Sequence, residues 1–452
     1  MHCNAKTCAA LETEAPRFSM RLARPLVDRS SPLALKSRAM NTGIRVKTQL
    51  LQAWKTAVAR VGGARVTRAA VAEDELASIT RLLAVGKAAA AMGAGALDRF
   101  AAHGEALVVT KYGHGAPLAS APATHARIEL IEAGHPLSDE NSLRAGRAVE
   151  EFVRATAAEE ELVMLVSGGA SALLELLPAT VDLRALQTMT SALLAGGYAI
   201  DQINAARMHV SRIKGGKLLR HFGGRSARVY ALSDVPGDNI DIIGGGIGAL
   251  RGESKPPPYI MRLLENMNLA SDATDAAFDS TEHIRFDYRA RIIASNRIAR
   301  DAAAEFFRAH DWPVNANEES LNRDIYAAAQ ELAAALIAGP PGAYIWGGES
   351  TVHLPPKPGV GGRNQSLALA LAKEIRGRRN IAALVAGSDG SDGPTQAAGA
   401  LIDGDTFDAA SGAERALARA DAGAYLARIA ALFKPGPTGT NVMDLAVAIK
   451  WQ

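Results

Sequence analysis

Cysteine is nearly absent: the 452-residue chain has two, Cys3 and Cys8, both near its start. A disulfide framework, a cysteine-ligated zinc site and a cysteine nucleophile are thereby excluded from the core. Long apolar runs are missing too, and none reaches the length needed to cross a bilayer. With no export signal to read, the expectation is a soluble, cytoplasmic protein without membrane contact. Charge of one sign is not in excess, since 50 Lys and Arg stand against 47 Asp and Glu for a net +3. That balance gives nucleic acid no reason to bind. Aromatic residues make up only 5%, whereas glycines number 42, which suits tight turns at strand ends where backbone approaches a ligand. What is plentiful is apolar side chain, 48% of the sequence, enough at this length for two domains rather than one core. Composition leaves room for a homo-oligomer.

Residues 1–45 are expected to be a disordered extension, because Met1 to Met40 lacks sustained periodicity. Glu12, Glu14 and Asp28 count against a transit peptide, and Met40 is an alternative start. From Thr48 to Arg60, Leu50, Leu51, Trp54 and Val58 recur at helical spacing. Leu82 to Val85 predicts a strand, followed by Gly86-Lys87 and an alanine-rich helix from Ala88 to Leu97. Further strands are predicted at Ala106–Lys111, Ile128–Ile131, Leu162–Val166, Ala227–Leu232, Ala343–Trp346 and Ile381–Ala386. Helices are predicted over Leu143–Arg154, from Asn296 to Ala309, and over Leu332–Ala338. The alternation points to an α/β fold with ligand-binding loops at strand ends and the site between two domains.

The stretch Gly347–Ala372, GGESTVHLPPKPGVGGRNQSLALALA, joins a strand end carrying Glu349 to a helix that starts near Arg363, Asn364 and Gln365. Free N–H groups in a first helical turn attract an anion, over which Arg363 could close. Lys87 sits in a strand-to-helix turn suited to phosphate, although Arg81 and Ala88 stand where a Walker A loop needs Gly and Ser or Thr. Ser167-Gly168-Gly169-Ala170-Ser171 offers backbone N–H groups and hydroxyls to phosphate oxygens. Asn204 to Lys217 is dense in cations, with Arg207, Ser211, Lys214 and Leu218 expected on one helical side and Gly215-Gly216 interrupting it. Carboxylates cluster at two strand ends, Asp234 with Asp238 and Asp389 with Asp392, a pattern suited to Mg²⁺ or a substrate hydroxyl. Gly244-x-Gly246-x-x-Ala249 matches a dinucleotide fingerprint only loosely, and Pro256–Pro258 follow where a helix should run.

Ordered along the chain are VGKAA (85–89), TKYGHG (110–115), GHPLSDE (134–140), VSGGASALL (166–174), the segment Asn204–Lys217, SDVPGD (233–238), GGEST (347–351), GGRNQSLALA (361–370), GSDGSDGPTQAAGA (387–400) and TGTNVMDL (438–445). Through these the sequence resembles the glycerate 2-kinases of the MOFRL type, formerly also labelled hydroxypyruvate reductases, from about Thr48 onward. The resemblance implies a larger Rossmann-like N-terminal domain, here residues 46–290, and a smaller C-terminal α/β domain, residues 291–452, with the active site in their cleft. It implies ATP-dependent phosphorylation of D-glycerate, or a related hydroxy acid, at the 2-hydroxyl, with ATP and Mg²⁺ as cofactors. Lys87 and Arg363 match the family's catalytic lysine and arginine. Nucleotide or phosphate contacts are expected from Ser167, Gly168, Gly169, Ser171, Lys214, Gly215, Gly216, Lys217, Asn364 and Gln365. Asp234, Asp238, Glu349, Asp389, Asp392 and Asn441 are expected to orient substrate or metal, with Asp234 and Asp389 as the metal ligands.

Two departures bear on nucleotide contacts and substrate preference. Ile242 to Gly248 replaces the family's Ser-Gly-Pro strand end, and Met443 stands where asparagine is usual. An NAD(P)H-dependent hydroxypyruvate reductase is the alternative activity and would require a true dinucleotide fingerprint. A catalytically silent relative that binds a small acid is the alternative that the altered Gly244 loop would suit.

Overall fold

Along the strand Ile79–Val85 (β1), which ends in the apolar run Leu82–Val85, Leu82 and Ala84 enter one hydrophobic cluster while Leu83 and Val85 enter another, as the two-residue period of a strand demands. A strand with both faces covered reads as a continuous apolar run, and β1 belongs to a fully parallel sheet. Its other strands are Phe100–Lys111 (β2), Arg127–Ala133 (β3), Glu161–Val166 (β4), Ser226–Leu232 (β5) and Asp287–Ala294 (β6). Their order, β3-β2-β1-β4-β5-β6, is that of the doubly wound nucleotide-binding sheet, with the reversal of direction falling between β1 and β4. This computed structural model describes residues 32–76, 78–119, 127–196, 198, 200–250, 256–269 and 285–452.

The second sheet is mixed. It contains Val314–Glu319 (β7), Gly342–Gly348 (β8), Ile381–Gly387 (β9), Gly399–Asp403 (β10), Leu432–Phe433 (β11) and Asp444–Lys450 (β12), in the order β11-β10-β9-β12-β8-β7. Only β7 and β8 run parallel. β12 lies antiparallel between β8 and β9, so Asp444, its first residue, pairs with Gly348 on one side and Gly387 on the other. The two sheets share a core: Leu82, Val108 and Leu165 belong to the same cluster as Ile345, Leu384 and Val447. Trp54 and Phe307 join it from the helices Pro32–Arg60 and Asn296–Ala309. The far face of the second sheet packs against the helices Ile325–Ala338 and Arg363–Glu374. A satellite cluster around Met189, Val210 and Leu264 closes three further helices on one another. Residues 45–452 form one compact unit.

Several expectations are corrected. Helix formation begins at Pro32, inside the stretch read as a disordered extension, while residues 1–31 lie outside the described residues. The helix expected to carry Arg207, Ser211, Lys214 and Leu218 on one side stops at Val210, because Ser211 Oγ accepts from the backbone N–H groups of Ile213 and Lys214 and draws the chain into a turn. The division placed at residue 290 falls within β6. Gly244, Gly245 and Gly246 all have left-handed φ (60°, 75° and 69°) and form a turn, without the strand–turn–helix geometry of a dinucleotide fingerprint.

Candidate active site

The turn after β1 and the turn after β4 are fastened to each other at the point where the first sheet reverses direction. Gly86 has φ 121°, and a Cβ there would lie 2.2 Å from Ser167 Oγ, so only glycine fits. Ser167 N–H donates to Val85 O at 2.9 Å, Ala88 N–H to Ser167 Oγ at 3.0 Å, and Lys87 N–H to Gly168 O at 2.9 Å. These bonds hold the Lys87 side chain against Gly169, whose left-handed backbone (φ 86°) comes so near that an added Cβ would be 2.9 Å from Lys87 Cγ.

Lys87 Nζ donates to Asp389 Oδ2 at 2.8 Å, linking the first sheet to the loop that follows β9. Asp389 is fixed in turn by Ser391, whose N–H and hydroxyl donate to Oδ1 at 2.9 and 3.1 Å. Burial acts to lower the Lys87 pKa, but the Asp389 carboxylate outweighs it and the ammonium is held above its ordinary range. For Asp389 burial acts upward and Lys87 prevails, leaving the carboxyl well below the usual range. Asp234, in the turn after β5, accepts from Asn441 Nδ2 at 3.2 Å. It also lies so close to Gly168 that a Cβ there would sit 1.6 Å from Asp234 Oδ2. Burial, reinforced by the negative charge of Glu349, pushes its pKa up to about 7 against the pull of Lys87.

A second group assembles around β12. The Arg363 guanidinium is paired with Glu349 and lies 3.4 Å from Asp444 Oδ2. Asn364 Nδ2 donates to Asp444 Oδ1 at 2.8 Å. Burial works against the Arg363 charge, yet Glu349, Asp444 and Asp392 together raise its pKa. The helix start expected to receive an anion is already capped by the protein, since Asp392 accepts from Asn364 N–H at 3.1 Å and Gln365 N–H at 2.8 Å, although burial pushes that carboxyl up to about 7. Gly362 makes room for that carboxylate: a Cβ would be 2.2 Å from Asp392 Cγ. The Gln365 side chain is turned to Thr395 Oγ1 at 2.7 Å. Among the described residues, Ser171 Oγ and Arg363 Nε are buried without a hydrogen-bond partner, an arrangement that a phosphate or carboxylate oxygen would satisfy.

Lys214 and Lys217 are placed differently from expectation. Lys214 is 1% exposed with its ammonium on Glu175, and Lys217 Nζ donates to Ser211 O at 2.6 Å and Met208 O at 2.9 Å. Gly215 N–H and Gly216 N–H donate to Gly245 O and Gly246 O at 2.9 and 3.0 Å. The segment thus braces the Gly244–Gly246 turn, and that turn packs on Ser171. Asp238 sits in a turn at φ 53°. Among the described residues no group of three or more His, Cys, Asp or Glu is arranged to hold a metal ion. Asp389, expected as a metal ligand, is paired with Lys87.

Three residues near the site had no role assigned from sequence. Asp444 anchors both Arg363 and Asn364. His114 Nδ1 lies 3.2 Å from Lys87 O, and His135 borders Gly169. Burial first, and then the neighbouring Lys87, push the His135 pKa well down, so its ring is neutral. All three fall in motifs visible in the sequence, but a motif does not say which side chain faces which. Lys87, Gly113, His114, Pro437 and Gly439 border a cavity of 270 Å³.

Comparison with known proteins gives a consistent pattern. Residues 49–279 match a family described as a domain of unknown function (DUF4147), and residues 342–444 match the MOFRL family. The D-glycerate 2-kinase of Thermotoga maritima is 33% identical over 384 residues, covering 81% of this chain and 90% of the relative. The glycerate 2-kinase of Pyrococcus horikoshii is 31% identical over 401 residues, covering 83% and 88%. A crystal structure of glycerate kinase from Thermotoga maritima superposes with a TM-score of 0.72 at 30% identity, covering 90% of this chain and all of that one.

Proposed function

We propose that this chain, which belongs to the MOFRL-type glycerate 2-kinase family, transfers the γ-phosphoryl group of ATP to the 2-hydroxyl of D-glycerate, giving 2-phospho-D-glycerate and ADP. The observation that carries this reading is the Lys87–Asp389 pair at the direction reversal of a doubly wound sheet, beside a Ser-Gly-Gly turn. Phosphoryl transfer asks the protein mainly for positioning and for charge neutralisation around the transferred group. Lys87, kept charged by Asp389, neutralises the oxygens of the transferring phosphoryl group. The turn Ser167–Ser171 lies alongside the phosphates, with Ser171 Oγ free to donate. Arg363, half-exposed and oriented by Glu349 and Asp444, closes on a phosphate or on the substrate carboxylate. The cavity beside His114 and Gly439 is the place for the three-carbon acid.

The donor set fits Mg²⁺, which usually takes one or two protein carboxylates together with substrate phosphates and needs no all-protein cage. Asp234, oriented by Asn441 and raised to about 7 by burial and by Glu349, would hold it, because a cation relieves the repulsion that keeps that carboxyl protonated. Bound there with the nucleotide, Mg²⁺ supplies Lewis-acid neutralisation of the phosphate oxygens. The partners are small molecules and the proposed location is the cytoplasm.

The test is a coupled assay of ADP release from ATP and Mg²⁺ with D-glycerate, run beside Lys87→Ala, with the product identified by phosphorus NMR. Glycerate-dependent ADP with 2-phosphoglycerate as product, lost in the variant, is expected. No turnover with D-glycerate or other short hydroxy acids would refute the reading, and NADH oxidation with hydroxypyruvate would replace it with the reductase.

A further inference from the structure

Outside the site just described, three arginines line a concavity of 390 Å³ on the helices Ala413–Ala418 and Ala422–Arg428. We propose that Arg415, Arg419 and Arg428 form a second anion site, built for the phosphate group of a small phosphorylated metabolite.

Two of the guanidinium groups converge. A Cβ built on Gly412 would lie 3.6 Å from Arg415 Nη2 and 3.9 Å from Arg428 Nη2, so both charges approach one glycine whose left-handed backbone (φ 96°) disfavours a side chain there. Like charges on long, flexible side chains normally separate or find carboxylates. Here, among the described residues, none of the three arginines makes an ion pair, whereas the neighbouring Arg376 and Lys373 are matched with Asp408 and Glu414. The one carboxylate of the lining is Asp421, and its Oδ1 accepts from Val360 N–H at 2.8 Å. Three guanidiniums against one carboxylate leave two net positive charges, the complement of a phosphate monoester near neutral pH. Arg428 is also oriented, with Nη2 donating to Ser411 O at 3.1 Å and its guanidinium 5.4 Å from the Tyr425 ring. Planar guanidinium forks match phosphate oxygens two at a time.

The floor of this cavity is fastened to the loop that leads into Arg363. Gly359 N–H donates to Arg419 O at 2.8 Å, Val360 N–H to Asp421, and Ala424 N–H to Val360 O at 3.3 Å. Gly361 and Gly362 follow, and then Arg363. An anion drawing the two short helices together would therefore stiffen the chain that sets Arg363, so occupancy is expected to lower the KM of the kinase for its substrates.

The decisive experiment is titration of the full-length protein with pyrophosphate, and separately with glycerol phosphate, by isothermal calorimetry, comparing wild type with Arg415→Gln/Arg428→Gln. All three arginines are exposed, so the variant should keep the wild-type melting temperature; Arg419→Gln serves as a second variant. Expected is one binding event absent from the double variant, or weakened at least about tenfold, since hydrogen bonds to charged groups are the stronger kind. Basal turnover without added anion should be unchanged. Identical isotherms in wild type and variant, whether both bind or neither does, would overturn the site. Calorimetry needs no turnover, so a failure of the kinase reading would leave this result interpretable.

Discussion

Substitution of Asp234 by asparagine should make the protein more stable and inactive at once, with a stability gain that depends on pH. The carboxyl ordinarily titrates at 3.8 but is pushed to about 7 in the folded protein by burial and by Glu349. Between those values the folded state holds a proton that the unfolded chain has released, so stability falls as pH rises through that window. The full displacement of about three pH units corresponds to about 4 kcal/mol above pH 7. At pH 5 only about 1.5 kcal/mol of that penalty has accumulated. Asparagine carries no charge and can still accept from Asn441. The variant's advantage in urea unfolding should therefore be larger at pH 8 than at pH 5 by about 2.5 kcal/mol, with other raised carboxyls common to both proteins. Mg²⁺-dependent turnover should fall by about 10² or more, the scale of removing one electrostatic contact to a transferring group. An equal offset at both pH values, or a loss of stability at pH 8, would refute the electrostatic account of Asp234.

Asp389→Asn removes the charge that keeps Lys87 protonated; burial then prevails, and the alkaline limb of the pH–rate profile should move to lower pH while kcat falls about 10²-fold or more. Glu175→Gln leaves the Lys214 ammonium buried without its counter-charge and should cost about 3–5 kcal/mol in chemical denaturation. Ala430→Gly, at an exposed position with φ 55° after a helix end, should gain about 1 kcal/mol in the same measurement.

The elements that hold Lys87, Ser167 and Asp389 were legible because β1, β4 and β9 each end in an apolar run of four or more residues that stops at glycine or one residue before it, the pattern of strands covered on both faces. β7, with the sequence VNANEE, carries no such pattern; it is a half-exposed edge strand held by pairing with β8, and it reads as loop. β10 was hidden for another reason, since its Gly-Ala-Leu-Ile-Asp follows a glycine-rich motif without a break in composition. The Asn204–Lys217 cations misled because their environment is set from a distance: Lys214 meets a carboxylate 39 positions earlier in the chain. Asp392 was expected to orient substrate or metal from its place in a strand-end loop, and nothing local shows that it caps a helix begun 29 residues before it. Met443 has φ 64°, a backbone that asparagine adopts more readily than methionine, so the departure from the family pattern has a conformational side that sequence comparison alone does not show.

The placement of β12 carries a consequence for how a ribosome-borne chain reaches activity. Every other strand of the second sheet is synthesised before it, yet β7 and β8 have no ladder to β9, β10 and β11 until Asp444–Lys450 slides between them. A polypeptide interrupted before residue 444 would thus present two bare strand edges, which invite aggregation or proteolysis. It would also lack the carboxylate that steadies Arg363 and Asn364. Truncated translation products should accordingly be both inert and readily recognised by chaperones and proteases, so that a check on chain completeness falls to the same strand that completes the second sheet.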